Sequence, residues 1–432
     1  MKVILNMNIL VFSEAAWDDK NSFGNTVSNF LCGDVWKAEH FSNFYARKQV
    51  PDNHVKALYY NLSAVDIVKG LVKGHIEGTS FTTEEIAQKD NAITAAHTKE
   101  QKNIDKLHQN KNDFIYYGHE LIWRSRIWLN RYFDAFVKNA APDIMFAFAT
   151  SPYILWPLIQ YLKKNTVCKV VLLIADDVYG NYKDTAFYRR GYLKREFEKC
   201  ICAADKLYGI SDEMSELYTK RFGKPVTTLY KGCDLSSPPK QYLNHPIRFV
   251  YAGNLFWGRD DTLAKIAEAI ERQNAKGVKA TLEIYTGATV TDDMRKKLER
   301  TGTARIMGAR PYEEIKRIMH EADVVLHVES FDADAKETVR YSFSTKIIDC
   351  LQSGNQVLGI GPEGIASIEY LRKTAGAVVI DRPESIETTI SKLLNSNDLQ
   401  ENAKKTRAFA LEHHEIKTVQ QGLRGDFERL IS

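Results

Sequence analysis

The second half of the chain alternates short apolar runs, rich in β-branched residues, with longer segments of helical periodicity. This alternation constrains the fold most, because strands that alternate with helices form parallel sheets with right-handed crossovers. The sequence therefore predicts an α/β, doubly wound domain over residues 246–411. Its predicted strands are Ile247–Tyr251, Thr281–Tyr285, Ala304–Met307, Val324–Val328, Gln356–Ile360 and Ala377–Ile380.

A second domain of the same kind is predicted over residues 1–237. It begins with a strand at Ile9–Phe12, which leads through a polar, Gly-bearing loop into a helix that starts near Thr26. A strand, a Gly-bearing loop and a helix in this order form the first βα unit of a doubly wound sheet. Residues of about 60–138 lack strand signals and predict a helical elaboration of this domain.

Two further features define the predicted domain limits. The segment Leu235–Lys240 contains two serines and two prolines between periodic segments, which is typical of a linker. Residues 412–432 have helical periodicity and are predicted to form a C-terminal helix that packs back on the first domain.

Composition excludes several functional classes. The 432 residues carry 59 basic and 55 acidic side chains, a net charge of +4 that is too balanced to indicate a nucleic-acid binder. No apolar run reaches the roughly 18 residues that span a bilayer. The six scattered cysteines lack zinc-ligand spacing and predict reduced thiols in a cytoplasmic protein, and neither a zinc site nor a set of disulfides.

The segment Leu121–Phe133 has apolar residues at helical spacing and arginines on the other face. This pattern favours a helix that packs in the core. The alternative is a helix that rests on a membrane surface, near a lipid-linked acceptor.

The turn after the first strand of the second domain is a candidate phosphate site. It contains Gly253, Asn254 and, at the start of the next helix, Arg259. Glycine lets the backbone approach a ligand closely, and the first N–H groups of a helix attract anionic oxygens. Arg259 is suited to pair with a diphosphate. A plain βα turn with a surface arginine is the alternative.

A second candidate site lies before Gly354, where a hydroxyl-rich loop opens a helix. Ser344 and Thr345 offer hydroxyls at the helix start, and Lys346 adds a positive charge. Asp349 lies one turn further along and is placed to reach ribose hydroxyls. The alternative is that Ser344 only caps the helix and Lys346 is solvated.

The stretch from Ser342 to Leu358 resembles the donor-binding segment of GT-B glycosyltransferases, in particular the family-four, glycogen-synthase-like retaining enzymes. Asn21–Thr26 is similar to the N-terminal Gly loop of that family, and Gly253–Arg259 to its phosphate turn. The resemblance implies two Rossmann-like domains that face across a cleft. It also implies a nucleotide-diphosphate sugar as donor substrate, bound without a metal or cofactor.

The resemblance also implies roles for individual residues. Arg259 matches the family's basic diphosphate contact, whereas Asn254 replaces a second basic residue. Asp349 takes the position of the family's second glutamate, a ribose contact. The family's first glutamate falls on Tyr341, which is not acidic, so Glu337 or Asp334 is expected to contact the sugar. Glu329 and Glu337 are eight positions apart, as the family's two glutamates are, but an alignment that uses them misplaces Gly354. Gly24, Asn25 and Gly361 complete the predicted donor-binding set.

Asp176 and Asp177 end a strand of the first domain. One of them is predicted to orient the acceptor or to act as a base, with a polar strand-end turn as the alternative. Gly359, Gly361 and Gly364 form a literal G-x-G-x-x-G, which is the argument for an NAD-dependent oxidoreductase instead. Its late position in the domain and Pro362 argue against a dinucleotide site.

The sequence therefore predicts a glycosyltransferase, of retaining type by resemblance, that acts on a carbohydrate or lipid-linked glycan acceptor in polysaccharide or glycoconjugate synthesis. The alternatives are the oxidoreductase and a non-catalytic nucleotide-sugar-binding protein of the same fold. No nucleic-acid partner is expected, and the protein is expected in the cytoplasm, with peripheral membrane contact as an option.

Overall fold

The computed structural model describes residues 6–86, 113–275, 277–300 and 302–432. The chain divides into two compact units. The first comprises Met1–Leu229 with Gln420–Ser432, and the second comprises Tyr230–Val419.

The first unit is built on an eight-stranded sheet with the order β4-β3-β2-β1-β5-β6-β7-β8. All neighbouring strands are parallel except β3 and β4, which are antiparallel. The strands are β1 (Asn8–Ser13), β2 (His40–Tyr45), β3 (Ala57–Asn61), β4 (Thr79–Thr82), β5 (Ile144–Phe148), β6 (Lys169–Ile174), β7 (Lys206–Gly209) and β8 (Thr227–Thr228). The helices are α1 (Ser22–Leu31), α2 (Ala64–Lys73), α3 (Asp113–Arg124), α4 (Arg131–Ala140), α5 (Pro152–Asn165), α6 (Val178–Asn181), α7 (Phe187–Ala203) and α8 (Asp212–Phe222).

The first helix begins at Ser22 rather than near Thr26, because Asn21 caps it and accepts a hydrogen bond from the Gly24 N–H at 2.7 Å. Gly24 is buried inside this helix, and a Cβ there would lie 2.1 Å from the Asp18 carbonyl oxygen. The absence of a side chain at Gly24 therefore lets the helix pack against the preceding loop.

The segment Leu121–Phe133 forms parts of two helices instead of one. Helix α3 ends at Arg124, and Asn130 caps α4 by accepting hydrogen bonds from the N–H groups of its first turn. The rings of Trp123, Trp128 and Phe133 are fully buried, with centroids of successive rings 5.4 and 5.1 Å apart. These aromatic residues therefore belong to the core of the first unit and do not form a surface for a bilayer.

The second unit is built on a six-stranded, fully parallel sheet with the order β11-β10-β9-β12-β13-β14. Each predicted strand is present within one residue at either end, and the α/β, doubly wound fold is confirmed. The strands are β9 (Ile247–Ala252), β10 (Ala280–Tyr285), β11 (Ala304–Gly308), β12 (Val324–Val328), β13 (Gln356–Ile360) and β14 (Val378–Ile380). The helices are α9 (Arg259–Asn274), α10 (Asp292–Leu298), α11 (Tyr312–Glu321), α12 (Ala333–Val339), α13 (Lys346–Ser353), α14 (Ala366–Lys373), α15 (Ile386–Asn395) and α16 (Leu399–His414).

The last helix, α17 (Ile416–Ile431), follows a one-residue break at Glu415. From Gln420 onwards it belongs to the first unit. Phe427 is fully buried there, with its ring 5.7 Å from Trp36 and 6.2 Å from Phe146. The C-terminal helix thus supplies part of the first unit's core.

All six cysteines are free thiols. Within the part of the chain that the structure describes, no group of three or more His, Cys, Asp or Glu side chains is arranged to hold a metal ion. Among the same residues, no helix combines the length and hydropathy needed to cross a membrane.

Candidate active site

The predicted donor-binding residues of the second unit gather at the carboxyl edge of its sheet. Gly253 follows the end of β9 and Gly361 follows β13, and Glu329, which lies outside the predicted donor-binding set, follows β12. Because these strands are parallel and adjacent, their carboxyl ends meet, which is where ligands bind in open α/β sheets. A Cβ at Gly361 would lie 2.8 Å from the Glu329 Cβ, so glycine is needed there for close packing.

Arg259 is a buried residue at the first position of α9. Its Nη2 and Nε lie 2.6 and 3.1 Å from Glu329 Oε2, and Nε also donates to the Val328 carbonyl at 3.1 Å. Nη1 donates to Asn254 Oδ1 at 2.7 Å. These contacts fix the orientation of the guanidinium, and Asn254 serves to hold the arginine rather than to add charge.

Glu329 is the acidic partner that fixes Arg259. Its side chain is only 5% exposed, and its second oxygen lies 3.3 Å from His327 Nε2. Burial opposes the charge, but the contacts with His327 and Arg259 outweigh it and lower the pKa of Glu329 below its ordinary value of 4.5. The carboxylate is therefore ionised at neutral pH and balances the charge of Arg259.

Lys346 brings a second cation to the same place. A Cβ at Gly253 would lie 2.7 Å from Lys346 Nζ, so the ammonium rests directly over the Gly253 backbone. Burial, and then the charge of Arg259, lower the pKa of Lys346 below 10.5. Among the described residues, no acidic group lies within ion-pair distance of this ammonium. Its charge is therefore available to an anionic ligand.

The start of α13 presents further donors beside Lys346. Thr345 precedes the helix without forming a side-chain cap. The N–H of Ser344 donates to Ser367 Oγ at 3.0 Å, so this amide is occupied. Within the described residues, the N–H groups of Thr345 and Lys346 have no hydrogen-bond partner. These two amides and the lysine together form a site suited to phosphate oxygens.

Asp349 lies one turn further along α13 and is partly buried. Its Oδ1 accepts a hydrogen bond from the Tyr312 hydroxyl at 2.8 Å. Burial raises the pKa of Asp349, and the nearby charges of Lys231 and Lys346 oppose this rise. Asp349 and Lys346 therefore interact electrostatically, as the spacing of three residues on one helix predicts.

The predicted catalytic acids have different surroundings. Asp177 caps α6 and accepts hydrogen bonds from Gly180 N–H at 3.0 Å, the Tyr218 hydroxyl at 2.9 Å and Arg221 Nη1 at 2.7 Å. Asp177 therefore stabilises the turn after β6, and its predicted role towards an acceptor stays a prediction. Asp176, next to it, is exposed.

Glu337 lies on α12, where its side chain is 63% exposed and 3.5 Å from Arg340. The structure does not bring it into the ion pair of Arg259, which uses Glu329 instead. Sequence reasoning set Glu329 aside because its register misplaced Gly354. The signal that identifies it is its position, a lone acid directly after the buried strand β12.

The G-x-G-x-x-G loop has few free amides for a dinucleotide. Gly359 lies inside β13, where a Cβ would be 2.7 Å from Leu371 Cδ1. The Gly361 N–H donates to the Ile380 carbonyl at 3.0 Å, and the Gly364 N–H donates to Glu369 Oε1 at 2.8 Å. These glycines serve close packing and internal hydrogen bonds.

Comparison with solved structures decides the fold class. The chain is similar to a glycosyltransferase from Rickettsia africae ESF-5, with a TM-score of 0.62, 11% identity and coverage of 99% of both chains. The fold is that of the GT-B glycosyltransferases. Anabaena Alr3699/HepE in complex with UDP gives a TM-score of 0.61 at 11% identity, over 98% of this chain and 100% of that one.

TarM gives a TM-score of 0.52 at 14% identity, over 68% of this chain. The match covers 57% of the TarM chain, so this protein corresponds to only part of it. No family model matches the sequence, and no curated protein is significantly similar to it.

Proposed function

We propose that this protein is a glycosyltransferase whose second unit binds a nucleoside-diphosphate sugar. The observation that carries the proposal is the Lys346 ammonium, which lies over the Gly253 backbone beside Arg259 and has no acidic partner among the described residues. A cation and unpaired helix amides at the carboxyl edge of a parallel sheet suit a diphosphate. Solved structures of this fold include one in complex with UDP, which supports the choice of ligand.

In the proposed reaction, the acceptor oxygen bonds to the anomeric carbon while the bond from that carbon to the diphosphate oxygen breaks, and the proton of the acceptor hydroxyl passes to the released diphosphate. Lys346 and the N–H groups of Thr345 and Lys346 stabilise the charge that grows on the leaving diphosphate. Arg259 also stabilises this charge from a fixed position, and its ion pair with Glu329 partly neutralises the guanidinium. Asp349 is proposed to accept a hydrogen bond from the ribose. This bond either replaces the one that Asp349 accepts from the Tyr312 hydroxyl or forms in addition to it.

The finer features of the proposal come from the sequence resemblance. They are retention of configuration, transfer to a carbohydrate or lipid-linked acceptor in polysaccharide or glycoconjugate synthesis, and action without a metal. A cytoplasmic location is proposed from the scattered cysteines. Peripheral membrane contact stays a prediction.

The test is a thermal-shift panel of UDP, GDP, ADP and dTDP, their sugars and NAD(H) on the full chain. We expect one class of nucleoside diphosphate to raise Tm and NAD(H) to have no effect. Lys346→Met should weaken binding about 10- to 100-fold, since hydrogen bonds to charged groups contribute about 1.5–3 kcal/mol. Lys265→Met, at an exposed position of α9, is the matched control and should bind normally. No response to any nucleoside diphosphate would refute the proposal.

Turnover is measured separately, by NMR of the sugar released from the donor that binds. Release in the α or β configuration identifies retention or inversion. Binding without any hydrolysis or transfer would favour the non-catalytic alternative.

A further inference from the structure

Two adjacent strands of the second sheet end in matched patterns, His-x-Glu after β12 and Gly-x-Gly after β13. His327 and Glu329 are two positions apart, so alternation along the strand places both side chains on the same side of the sheet. His327 pairs in register with Gly359, and the Glu329 N–H donates to the Ile360 carbonyl at 2.7 Å. The two polar side chains therefore lie beside positions of β13 that have no side chain.

The packing around His327 leaves it a single polar neighbour. A Cβ at Gly361 would lie 2.8 Å from the Glu329 Cβ, so the glycine makes room for Glu329. The space over Gly359 is filled by Leu371, whose Cδ1 would lie 2.7 Å from an added Cβ. The ring of His327 is only 2% exposed. Among the described residues, its Nε2 has no polar neighbour other than Glu329 Oε1, 3.3 Å away.

Glu329 divides its two oxygens between two partners. Oε2 lies 3.1 Å from Nε and 2.6 Å from Nη2 of Arg259, whereas Oε1 faces His327 Nε2. A carboxylate only accepts hydrogen bonds, so Nε2 carries a proton on this side of the ring. In a forked arginine–carboxylate pair, each N–H has an oxygen of its own, which adds energy. His327 therefore occupies the oxygen that a forked pair would use.

This arrangement leaves part of Arg259 available to a ligand. Nε and Nη2 bond to Glu329, and Nη1 donates to Asn254 Oδ1 at 2.7 Å. Among the described residues, one N–H of Nη1 and one of Nη2 have no partner. The Glu329 backbone is fixed at both ends, by Ile360 and by the Thr262 hydroxyl, which donates to the Glu329 carbonyl at 3.3 Å. Only the carboxylate is free to rotate, and its rotation would move the guanidinium.

We propose that His327 is a positioning residue for diphosphate binding. By holding Oε1 of Glu329, it keeps Arg259 on Oε2 and leaves two guanidinium N–H groups for phosphate oxygens. The inference rests on the proposed function and adds to it a residue that acts without touching the ligand. Without His327, the carboxylate rotates into a forked pair, draws the guanidinium away from Asn254 and neutralises more of its charge.

The first test compares two amide variants by calorimetry, with whichever of UDP, GDP, ADP and dTDP binds the wild type best. The side-chain nitrogen of glutamine reaches the place of the histidine Nε2, whereas that of asparagine reaches only the place of Nδ1. We expect His327→Gln to bind within about twofold of the wild type and His327→Asn about 3- to 10-fold more weakly, the effect of one hydrogen bond. Equal affinities of the two variants would overturn the proposal, because an effect of packing alone would not depend on the position of the donor.

A double-mutant cycle shows whether His327 acts through Glu329. His327→Leu should weaken nucleotide binding about 3- to 10-fold in the wild type, but less than about twofold in the Glu329→Gln background. An equal loss in both backgrounds would contradict the proposal, because His327 would then act independently of the carboxylate. The matched control is His320→Leu, whose half-buried ring lies 3.1 Å from the Ser353 carbonyl at the far end of α13 from Lys346. This control should bind nucleotide normally.

A crystal structure of His327→Leu gives a readout that needs no nucleotide, and His327→Asn serves instead if the leucine variant fails to fold. We expect Nε and Nη2 of Arg259 to bond to different oxygens of Glu329. A pair that keeps both nitrogens on Oε2 would refute the inference. A wild type that binds no nucleoside diphosphate would refute the proposed function, and this structure would still decide how His327 acts on Arg259. Nucleotide binding that all His327 variants share unchanged would refute only the inference.

Discussion

The ion pair between Glu329 and Arg259 offers a quantitative test of how the second unit is stabilised. At 2.6 Å the Coulomb attraction is about 6 kcal/mol for an effective dielectric constant of 20, before desolvation is subtracted. Breaking a buried pair by removing one charge costs about 3–5 kcal/mol, because the other charge stays buried. Glutamine keeps the shape and one acceptor, so we expect Glu329→Gln to lose about 3 kcal/mol of unfolding free energy.

The assay is hydrogen–deuterium exchange in increasing urea, read on peptides from β9, β12 and β13 so that the second unit is followed by itself. Glu313→Gln is the control, because Glu313 pairs with Lys316 at a similar 2.7 Å but is 79% exposed. An exposed pair contributes about 0.2–1 kcal/mol, so this variant should be nearly neutral. A loss below about 1 kcal/mol for Glu329→Gln would refute the claim that the pair holds this edge together.

The dependence on pH gives a second check of the same variant. Because the folded-state pKa of Glu329 lies below 4.5, its stabilising effect is present above pH 4.5 and is lost as pH falls through the lower folded value. The difference between wild type and Glu329→Gln should therefore shrink on acidification below about pH 4.5. A difference that grows on acidification would contradict the assigned direction.

Three further predictions concern the same site and the core. Nucleoside-diphosphate affinity, measured by calorimetry, should fall as pH rises towards 10.5, because the pKa of Lys346 is lowered and its ammonium loses its proton below that pH. Lys346→Arg should make the affinity less dependent on pH, since arginine stays charged. An unchanged dependence on pH would count against the role of the lysine. Gly253→Ala should displace the Lys346 ammonium and weaken nucleotide binding in a thermal-shift titration, whereas Gly287→Ala, where the nearest atom is 4.0 Å away, should bind normally. Asn130→Ala should cost about 1 kcal/mol in urea denaturation through loss of the α4 cap, and a neutral result would show that the cap is dispensable.

The second sheet was predictable from sequence because its strands are short runs, most of them rich in apolar residues, that alternate with longer segments of helical periodicity. β12 illustrates this, since all five residues are buried and the predicted and observed bounds agree. In the first sheet, β2 and β3 gave no such signal. Asn43 lies in the middle of β2, fully buried, and its amide donates to the Val11 carbonyl at 3.0 Å. A buried polar residue interrupts the apolar pattern, and its partner is distant in sequence.

The candidate site was predictable only in part. Helix periodicity placed Lys346 and Asp349 on one helix, and the strand before Gly253 placed that turn at the sheet edge. The partnership of Arg259 with Glu329 joins residues 70 positions apart, and local spacing carries no information about such a pair. The sequence predicted one helix over Leu121–Phe133, because the apolar spacing continues past Asn130, the residue that caps α4.

Both ends of the polypeptide contribute to the first unit, since residues 420–432 rejoin it after the second unit is complete. The second unit is in effect an insertion with two attachment points. A truncation at the C-terminus would therefore damage the first unit, although the removed residues follow the second unit in sequence. It would remove Phe427 from its contact with Trp36 and would leave Glu39 without its ion-pair partner Arg424, 2.8 Å away. A shortened version intended to isolate the second unit should span residues 230–419.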